Sequence, residues 1–535
     1  MGNILGVEID AVAPSYSDDK ENLWDGFVGS GPWYTCKADG EIKPRVAKKG
    51  PSGEQENPSL TLQQMLTRAC ERRGEKQALK VERPCPPLSA DNKAPPALPE
   101  EDWTAWTYNE WNQEARDCGK ACMAMGMEVF GTVNAWGFNA PEWHIGCYAA
   151  GYAGGKFGGL YPTDTPDTAA YKVVHSGGSV LIVEDKSKVD KLVKALNERG
   201  DAKKLKVFVA YGFDPAEGEK VSVKGCGDIP VMGWKAFLAM GAQKVSDEEL
   251  SKRAALVKPG HCSVLVYTSG TTGQPKAVML SHDTICAEAK SVMASLGASS
   301  GFGEVEEQER VLSYLPLSHV AGKMLDMVAP VTMTATCPGW GTVYYARNYD
   351  LKAGTIKDRL CVARPTIFLG VPLVWEKIAD KLRAIGAETT GIKKDIATWA
   401  KGLGLQHAKD CLLGGAGRYP VGYGLANTLV LTNVKAALGL DQCKVAITGA
   451  APIRVDTLEY FASLGLSILE VYGMSETCGA STVSTFQAHA WGSVGFELPG
   501  IEVKVFKVDV GGGGKKIECA KAPGLESTDE EFQGE

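Results

Sequence analysis

YTSGTTGQPKAVMLSHD, residues 267–283, follows the apolar run SVLV at 263–266 and decides how the rest of the chain is read. The hydroxyls of Thr268, Ser269, Thr271 and Thr272 are donors for phosphate oxygens. Gly270 and Gly273 permit positive φ and close backbone approach, and Lys276 adds a cation. The segment is suited to holding polyphosphate, so a nucleoside triphosphate is the expected ligand. A loop ending in Gly-Lys-[Ser/Thr] at a helix start is a different device. Here Pro275 precedes Lys276 and a second apolar run, 277–280, follows, which predicts strand, loop, strand. The competing reading is a solvated Gly/Thr linker. Two β-type flanks and a single Pro-Lys exit argue against it.

A chain of 535 residues exceeds the ~250–300 at which a single core stops growing, so two or more subdomains are expected. The net charge is −7 and no dense basic stripe occurs, which removes the electrostatic signature of a nucleic-acid binder. The Lys-rich stretch at 186–206 reads as the solvated face of an amphipathic helix and its exit. Fifteen cysteines are scattered, and Cys118 and Cys122 form only a CxxxC pair at helical spacing, so reduced thiols of a cytosolic-type compartment are expected. The start, MGNILGVEIDAV, lacks a basic segment followed by a long apolar one, and no run of some 18 apolar residues appears. A cytoplasmic location follows as the expectation. Peripheral contact with an intracellular membrane is compatible with it. Gly2 raises N-myristoylation, but Gly6 stands where Ser or Thr is wanted.

Residues 60–74 have the spacing of a helix ending at Gly74, and the Pro-rich 83–102 reads as a surface excursion. Beyond Trp103 the pattern turns regular. Strands are expected at 133–138, 156–160, 179–183 and 206–210, with Asn139 capping a helix over 142–153. The alternation returns with a strand at 443–448, a helix at 454–464 closed by Gly465 and a strand at 467–472. Strands alternating with helices argue for mostly parallel α/β sheets. Pattern alone leaves open whether there are two such blocks or one large doubly wound sheet.

Eight ordered motifs carry a resemblance. Besides the loop they are GFNAPEWHIGCYAAGYAGG (137–155), LPLSHVAG (315–322), ARPTIFLGVPLVWEKI (363–378), KAALGLDQC (435–443), TGAAPI (448–453), VYGMSETCG (471–479) and GSVGFELPG (492–500). In this order, over about 103–506, the chain resembles the adenylate-forming superfamily, most of all its long-chain and bubblegum-type fatty acyl-CoA synthetases. The resemblance implies a large N-terminal domain with two α/β sheets and a small β-barrel. It also implies activation of a fatty acid by ATP to an acyl-adenylate and then to acyl-CoA, with Mg²⁺ as metal and coenzyme A as co-substrate. On that basis 1–102 is an N-terminal extension, 103–506 the AMP-binding domain and 507–535 a Gly-rich and charged tail.

The resemblance also assigns roles. Lys276 and the loop 268–273 embrace the β- and γ-phosphates and the departing pyrophosphate. Glu476 binds Mg²⁺, Ser475 contacts the α-phosphate, and Tyr472 with the adjoining Gly473 borders the adenine. Gly449, Ala450 and Ala451 follow a strand without large side chains and form part of the adenine pocket. A tight turn into a helix reads the same. His319 faces the carboxylate and phosphate by resemblance, although a lone His in an apolar run is commonly a core residue. His282 reads as structural. Val320, Met324, Met327 and Val328 either wall an acyl tunnel or belong to a buried helix.

Three departures stand out. Ala277 occupies a position where the family commonly has Gly, and Leu373 stands for a usual Arg, which removes a bidentate ion-pairing group. No TGD occurs anywhere, and FQGE at 532–535 resembles the start of the next family strand, so the sequence reads as cut before the C-terminal domain. The expected function is therefore the large domain of a fatty acyl-CoA ligase. The alternatives are a noncatalytic homologue serving as a ligand-binding or structural subunit in a protein complex, and a related aryl or aminoacyl activator.

Overall fold

The computed structural model describes residues 34–43, 50–51, 53, 57–268, 273–413, 415–508 and 516–518. Two sheets dominate. In the first, the strands run edge to edge as Lys276–Ser281, Cys262–Thr268, Lys156–Leu160, Thr132–Trp136, Gly178–Val183, Val207–Ala210, Gly227–Gly233 and Lys220–Val223. Its interior pairs are parallel, and an antiparallel strand closes each edge. The second runs Phe496–Glu497, Gly479–Val483, Ile468–Met474, Val445–Thr448, Ile367–Leu369, Gln308–Ser313, Trp340–Tyr345, Gln77–Val81 and Thr104–Thr107. Its six central strands are parallel. Two sheets therefore form, rather than one.

The burial explains the sequence pattern. Thr132–Trp136, Lys156–Leu160 and Gly178–Val183 are buried at every position, as parallel strands covered on both faces by helices must be. Helices read from spacing fall close to expectation: Leu62–Arg73 starts at a Thr61–Gln64 capping box, and Val455–Ser463 lies within the anticipated 454–464. The largest apolar cluster gathers Trp111, Trp143, Tyr148 and Phe157 between the helices and the first sheet. A second cluster packs Trp375, Phe368 and Phe461 against the other sheet.

Some expectations are corrected. Asn139 is not a helix cap, since Ala140 occupies that position before the helix Pro141–Tyr152. Its amide instead donates to the Ser313 hydroxyl at 2.9 Å and to the Leu315 carbonyl at 2.7 Å, which ties the two sheets together. GIEVKVF at 500–506 alternates as a strand would, yet among the described residues pairing begins only at Phe506–Val508, because the residues before it have no partner strand. The small β-barrel does not close among the described residues. Gly479–Val483 and Phe496–Glu497 extend the second sheet, and Phe506–Val508 pairs only with Lys516–Glu518. Among the described residues no helix is long and apolar enough to cross a membrane.

The Pro-rich excursion is anchored by charge. Glu82, Arg347, Asp350 and Arg359 are each at most 4 % exposed. Arg347 Nε lies 3.2 Å from Asp350, Arg359 Nε lies 3.6 Å from Asp350, and Arg359 also donates to Glu82. Both terminal nitrogens of Arg347 donate to the Pro95 carbonyl, and Glu82 accepts from the Leu98 amide.

Candidate active site

Six elements build the site. They are β1 (Cys262–Thr268), β2 (Lys276–Ser281), α1 (His282–Ser300), β3 (Val445–Thr448), β4 (Ile468–Met474) and β5 (Gly479–Val483). β1 and β2 pair antiparallel with Thr268 opposite Lys276, so strand, loop, strand is what forms. Ser281 caps α1 by accepting from the Thr284 amide, and Gly301 ends it in the left-handed region at φ 73°. β3 and β4 are parallel neighbours whose carboxyl ends open beside the β1–β2 neck. Ligands of open α/β sheets sit outside such ends.

A cavity of about 550 Å³ lies there, within the ~300–1,000 Å³ usual for small-molecule sites. Its polar mouth carries Thr268, Lys276, His319, Ser475 and Glu476, with the backbone of Gly449 and Ala450. Its far wall is apolar, with Val292, Leu296, Leu325, Ile447 and Val483. A charged group at one end and an apolar chain at the other is the amphiphile this shape accommodates. A larger cleft of about 1190 Å³ is lined by Arg83, Glu142, Glu184, Lys188 and Arg347. These five side chains are already paired through Arg83–Glu142, Lys188–Glu184 and Arg347–Asp350, which leaves them less free for a ligand.

The mouth is different in this respect. Neither the Lys276 nor the Glu476 side chain makes an ion pair or hydrogen bond to a described residue, and both residues are exposed. Ser475 and Glu476 ride a 3₁₀ turn, Ser475–Thr477, that ends at Cys478 with φ 67° and no exposure. Ala450 likewise has φ 69°. Non-glycine residues in this region are strained, and such strain collects at functional sites. At Gly449 a Cβ would meet the Val471 carbonyl oxygen at 2.9 Å, so the bare backbone there is needed for fit.

His319 caps the short helix Val320–Gly322, its Nδ1 accepting from the Ala321 amide at 3.2 Å. Burial lowers its pKa below the ordinary value, so the ring is neutral at pH 7. With Nδ1 as acceptor, the proton sits on Nε2, which is left as a donor for an anionic ligand. His282, by contrast, is buried with Nδ1 accepting from the Leu62 amide at 3.1 Å, and burial holds its pKa down at about 3. That is a structural role.

The remaining site expectations divide. Gly473 lines the cavity, whereas Ala451 and Tyr472 do not; Tyr472 is 49 % exposed beside it. Gly273, at φ 122°, stands just outside the lining. Ser269, Gly270, Thr271 and Thr272 lie outside the described residues. Val320 and Met324 face the cavity, while Met327 and Val328 are 0 % and 2 % exposed in the core. The run thus divides, two residues lining the cavity and two lying in the core. Sequence reasoning missed Glu288, Val292 and Leu296, whose i, i+4, i+8 spacing on α1 places them along one face.

Among the described residues, no group of three or more His, Cys, Asp and Glu side chains converges to hold a metal ion. A lone uncommitted carboxylate, Glu476, suits Mg²⁺, which takes one or two protein oxygens and completes its shell with phosphates and water.

The model of the family described as AMP-binding enzyme matches residues 66–516. Among curated relatives, long-chain-fatty-acid--CoA ligase ACSBG2 of Gallus gallus is 35 % identical over 482 residues, covering 90 % of this chain and 58 % of that protein. The ligase of the same name from Homo sapiens is 32 % identical over 485 residues, covering 90 % and 66 %. The chain thus spans roughly three-fifths of the relatives it matches. Of solved structures, the anthranilate CoA ligase AuaEII in complex with anthranoyl-AMP superposes with a TM-score of 0.57 at 15 % identity, covering 87 % of this chain and 68 % of that one. ATP-bound MatB from Rhodopseudomonas palustris gives 0.54 at 19 %, covering 86 % and 69 %. At these identities the likeness is one of fold.

Proposed function

Because the chain belongs to the AMP-binding enzyme family, we propose that it is the ATP- and acyl-binding part of a long-chain fatty acyl-CoA ligase. One observation carries the reading: an uncommitted lysine, an uncommitted carboxylate and a neutral imidazole donor share the mouth of a cavity whose far wall is apolar. The names of the curated relatives support it.

In the proposed reaction a carboxylate oxygen of the fatty acid bonds to the α-phosphorus of ATP. The bond from that phosphorus to the β-bridging oxygen breaks, and pyrophosphate leaves with the electron pair. The apolar wall holds the acyl chain so that its carboxylate meets the phosphate in line, which replaces a bimolecular encounter by a positioned one. Lys276 offsets the charge accumulating on the pyrophosphate, and His319 Nε2–H and the Ser475 hydroxyl donate to oxygens of the reacting groups. Gly449 and Ala450 leave a flat backbone bed for the base. Glu476 would hold Mg²⁺, which when bound draws negative charge from the phosphates. The thiol sulfur of coenzyme A then bonds to the acyl carbon, the bond from that carbon to the phosphate oxygen breaks, and AMP leaves with the electron pair as the thiol proton is lost to solvent.

The test is fatty-acid-dependent ATP/pyrophosphate exchange, with titration calorimetry of Mg-ATP and palmitate against this chain. Binding of both, with exchange by the chain alone or with a C-terminal domain supplied in trans, supports the ligase reading. Absence of ATP binding overturns it in favour of a noncatalytic homologue.

A further inference from the structure

Glu288 stands in the wrong company for an acyl pocket. It lines the cavity from α1, one turn before Val292 and two before Leu296, and is 6 % exposed. Its carboxyl lies against the Ala480 amide of β5, and its Oε1 has no hydrogen-bond partner. No Lys, Arg or His nitrogen among the described residues comes within 4 Å of it. Room for it comes from Gly479, where a Cβ would sit 3.3 Å from Oε1 and 3.5 Å from Met324 Cγ. A buried oxygen without a partner is uncommon in folded proteins, and an apolar side chain of similar size would line an alkyl chain better.

We infer that Glu288 is a specificity-determining residue, which hydrogen-bonds a hydroxyl carried on the carboxylate-proximal part of the acyl chain. The inference rests on the ligase reading above and names the substrate class of the same cavity. The placement follows from the chain: Gly479 and Ala480 come directly after the Ser475–Thr477 turn at the mouth, whereas Val292 and Leu296 lie progressively deeper at about 1.5 Å of rise per residue. A hydroxyl near the head group therefore meets Glu288, and one at the far methyl end meets only the apolar wall. Burial raises the Glu288 carboxyl to about 8 against the lowering effect of the Ala480 amide, so it is protonated at neutral pH. A neutral carboxyl both donates and accepts, as does an alcohol, so the two make a matched pair. A binding site built to hydrogen-bond a hydroxyl discriminates against the analogue lacking it, because the site group is then left unpaired.

The experiment titrates the whole chain, with Mg-ATP present, with palmitate, 3-hydroxypalmitate and 16-hydroxypalmitate. The 3-hydroxy acid is expected to bind about 3- to 10-fold tighter than palmitate, the range one neutral hydrogen bond supplies, and the 16-hydroxy acid no tighter than palmitate. Glu288→Gln, which still donates and accepts, retains a preference, whereas Glu288→Leu brings the ratio to one or below. Equal binding of the three acids by the unaltered chain overturns the inference, whether or not the leucine variant folds. So does a preference that survives in Glu288→Leu, or one for the 16-hydroxy acid. Binding of no acyl chain at all overturns both this and the ligase reading, while equal binding leaves the ligase reading standing.

Discussion

The charges around Glu82 and those at the cavity mouth put the same functional groups to opposite uses. Arg347, Arg359, Glu82 and Asp350 are buried and committed to one another, and they fasten the Pro-rich excursion to the sheet that carries Gln77–Val81. Lys276 and Glu476 are exposed and committed to nothing among the described residues. Desolvated ions need partners inside the fold, whereas ions at the carboxyl ends of strands are free to take theirs from a ligand. Pairing, more than the presence of charge, separates scaffold from site.

Removing one member of the buried cluster breaks the comparison most severely. Arg359→Ala leaves the buried Glu82 and Asp350 to share Arg347 as their one cation, and denaturant unfolding should show a loss of about 3–5 kcal/mol. At the mouth the outcome should invert: Lys276→Ala is expected to cost on the order of 10²-fold in pyrophosphate exchange, about 2.7 kcal/mol in the barrier, while the denaturation midpoint stays put. A variant that lost stability in step with exchange would show Lys276 to be scaffold after all.

Glu288 lies between these extremes, buried like the cluster and unpaired like the mouth. Its native pKa of about 8 exceeds the ordinary 4.5, so between those values the unfolded chain binds fewer protons than the folded one. Stability from this group is whole below about 4.5, declines as pH rises and is lost above about 8. The slope is at most ~1.4 kcal/mol per pH unit, and Glu288→Gln should flatten it, as read from unfolding curves at pH 5.5, 7 and 8.5. The smallest effect is at Ala450, where φ 69° suits glycine. Ala450→Gly relieves strain while loosening the unfolded chain, so stability should move by no more than about 1 kcal/mol in either direction.

Much of this was legible. The strand Lys156–Leu160 sits where its residues placed it, and the two apolar runs flanking the Gly/Thr segment pair as a hairpin. What stayed hidden depends on partners distant in sequence. Gln77–Val81 aligns with Trp340–Tyr345 some 260 residues away, a pairing no local periodicity encodes. Asn139 reads as a cap because Asn before Pro141 fits one, yet Ser313 and Leu315 claim its amide. Glu288 carries no signal in its local sequence, and the packing of β5 over α1 buries it. Local chemistry announces strands and phosphate loops, whereas a side chain's environment is decided by which elements meet.

The register of β1 and β2 has a consequence for how this site can be altered. Thr268 and Lys276 are opposite one another at the neck of the hairpin, with seven residues between them in sequence, so the lysine's place is set by the ladder. Changes in the length or composition of that intervening segment leave the lysine's address untouched, as long as the ladder keeps its alternation. The cation's position is therefore a property of the strand pairing, and it moves only where that pairing moves.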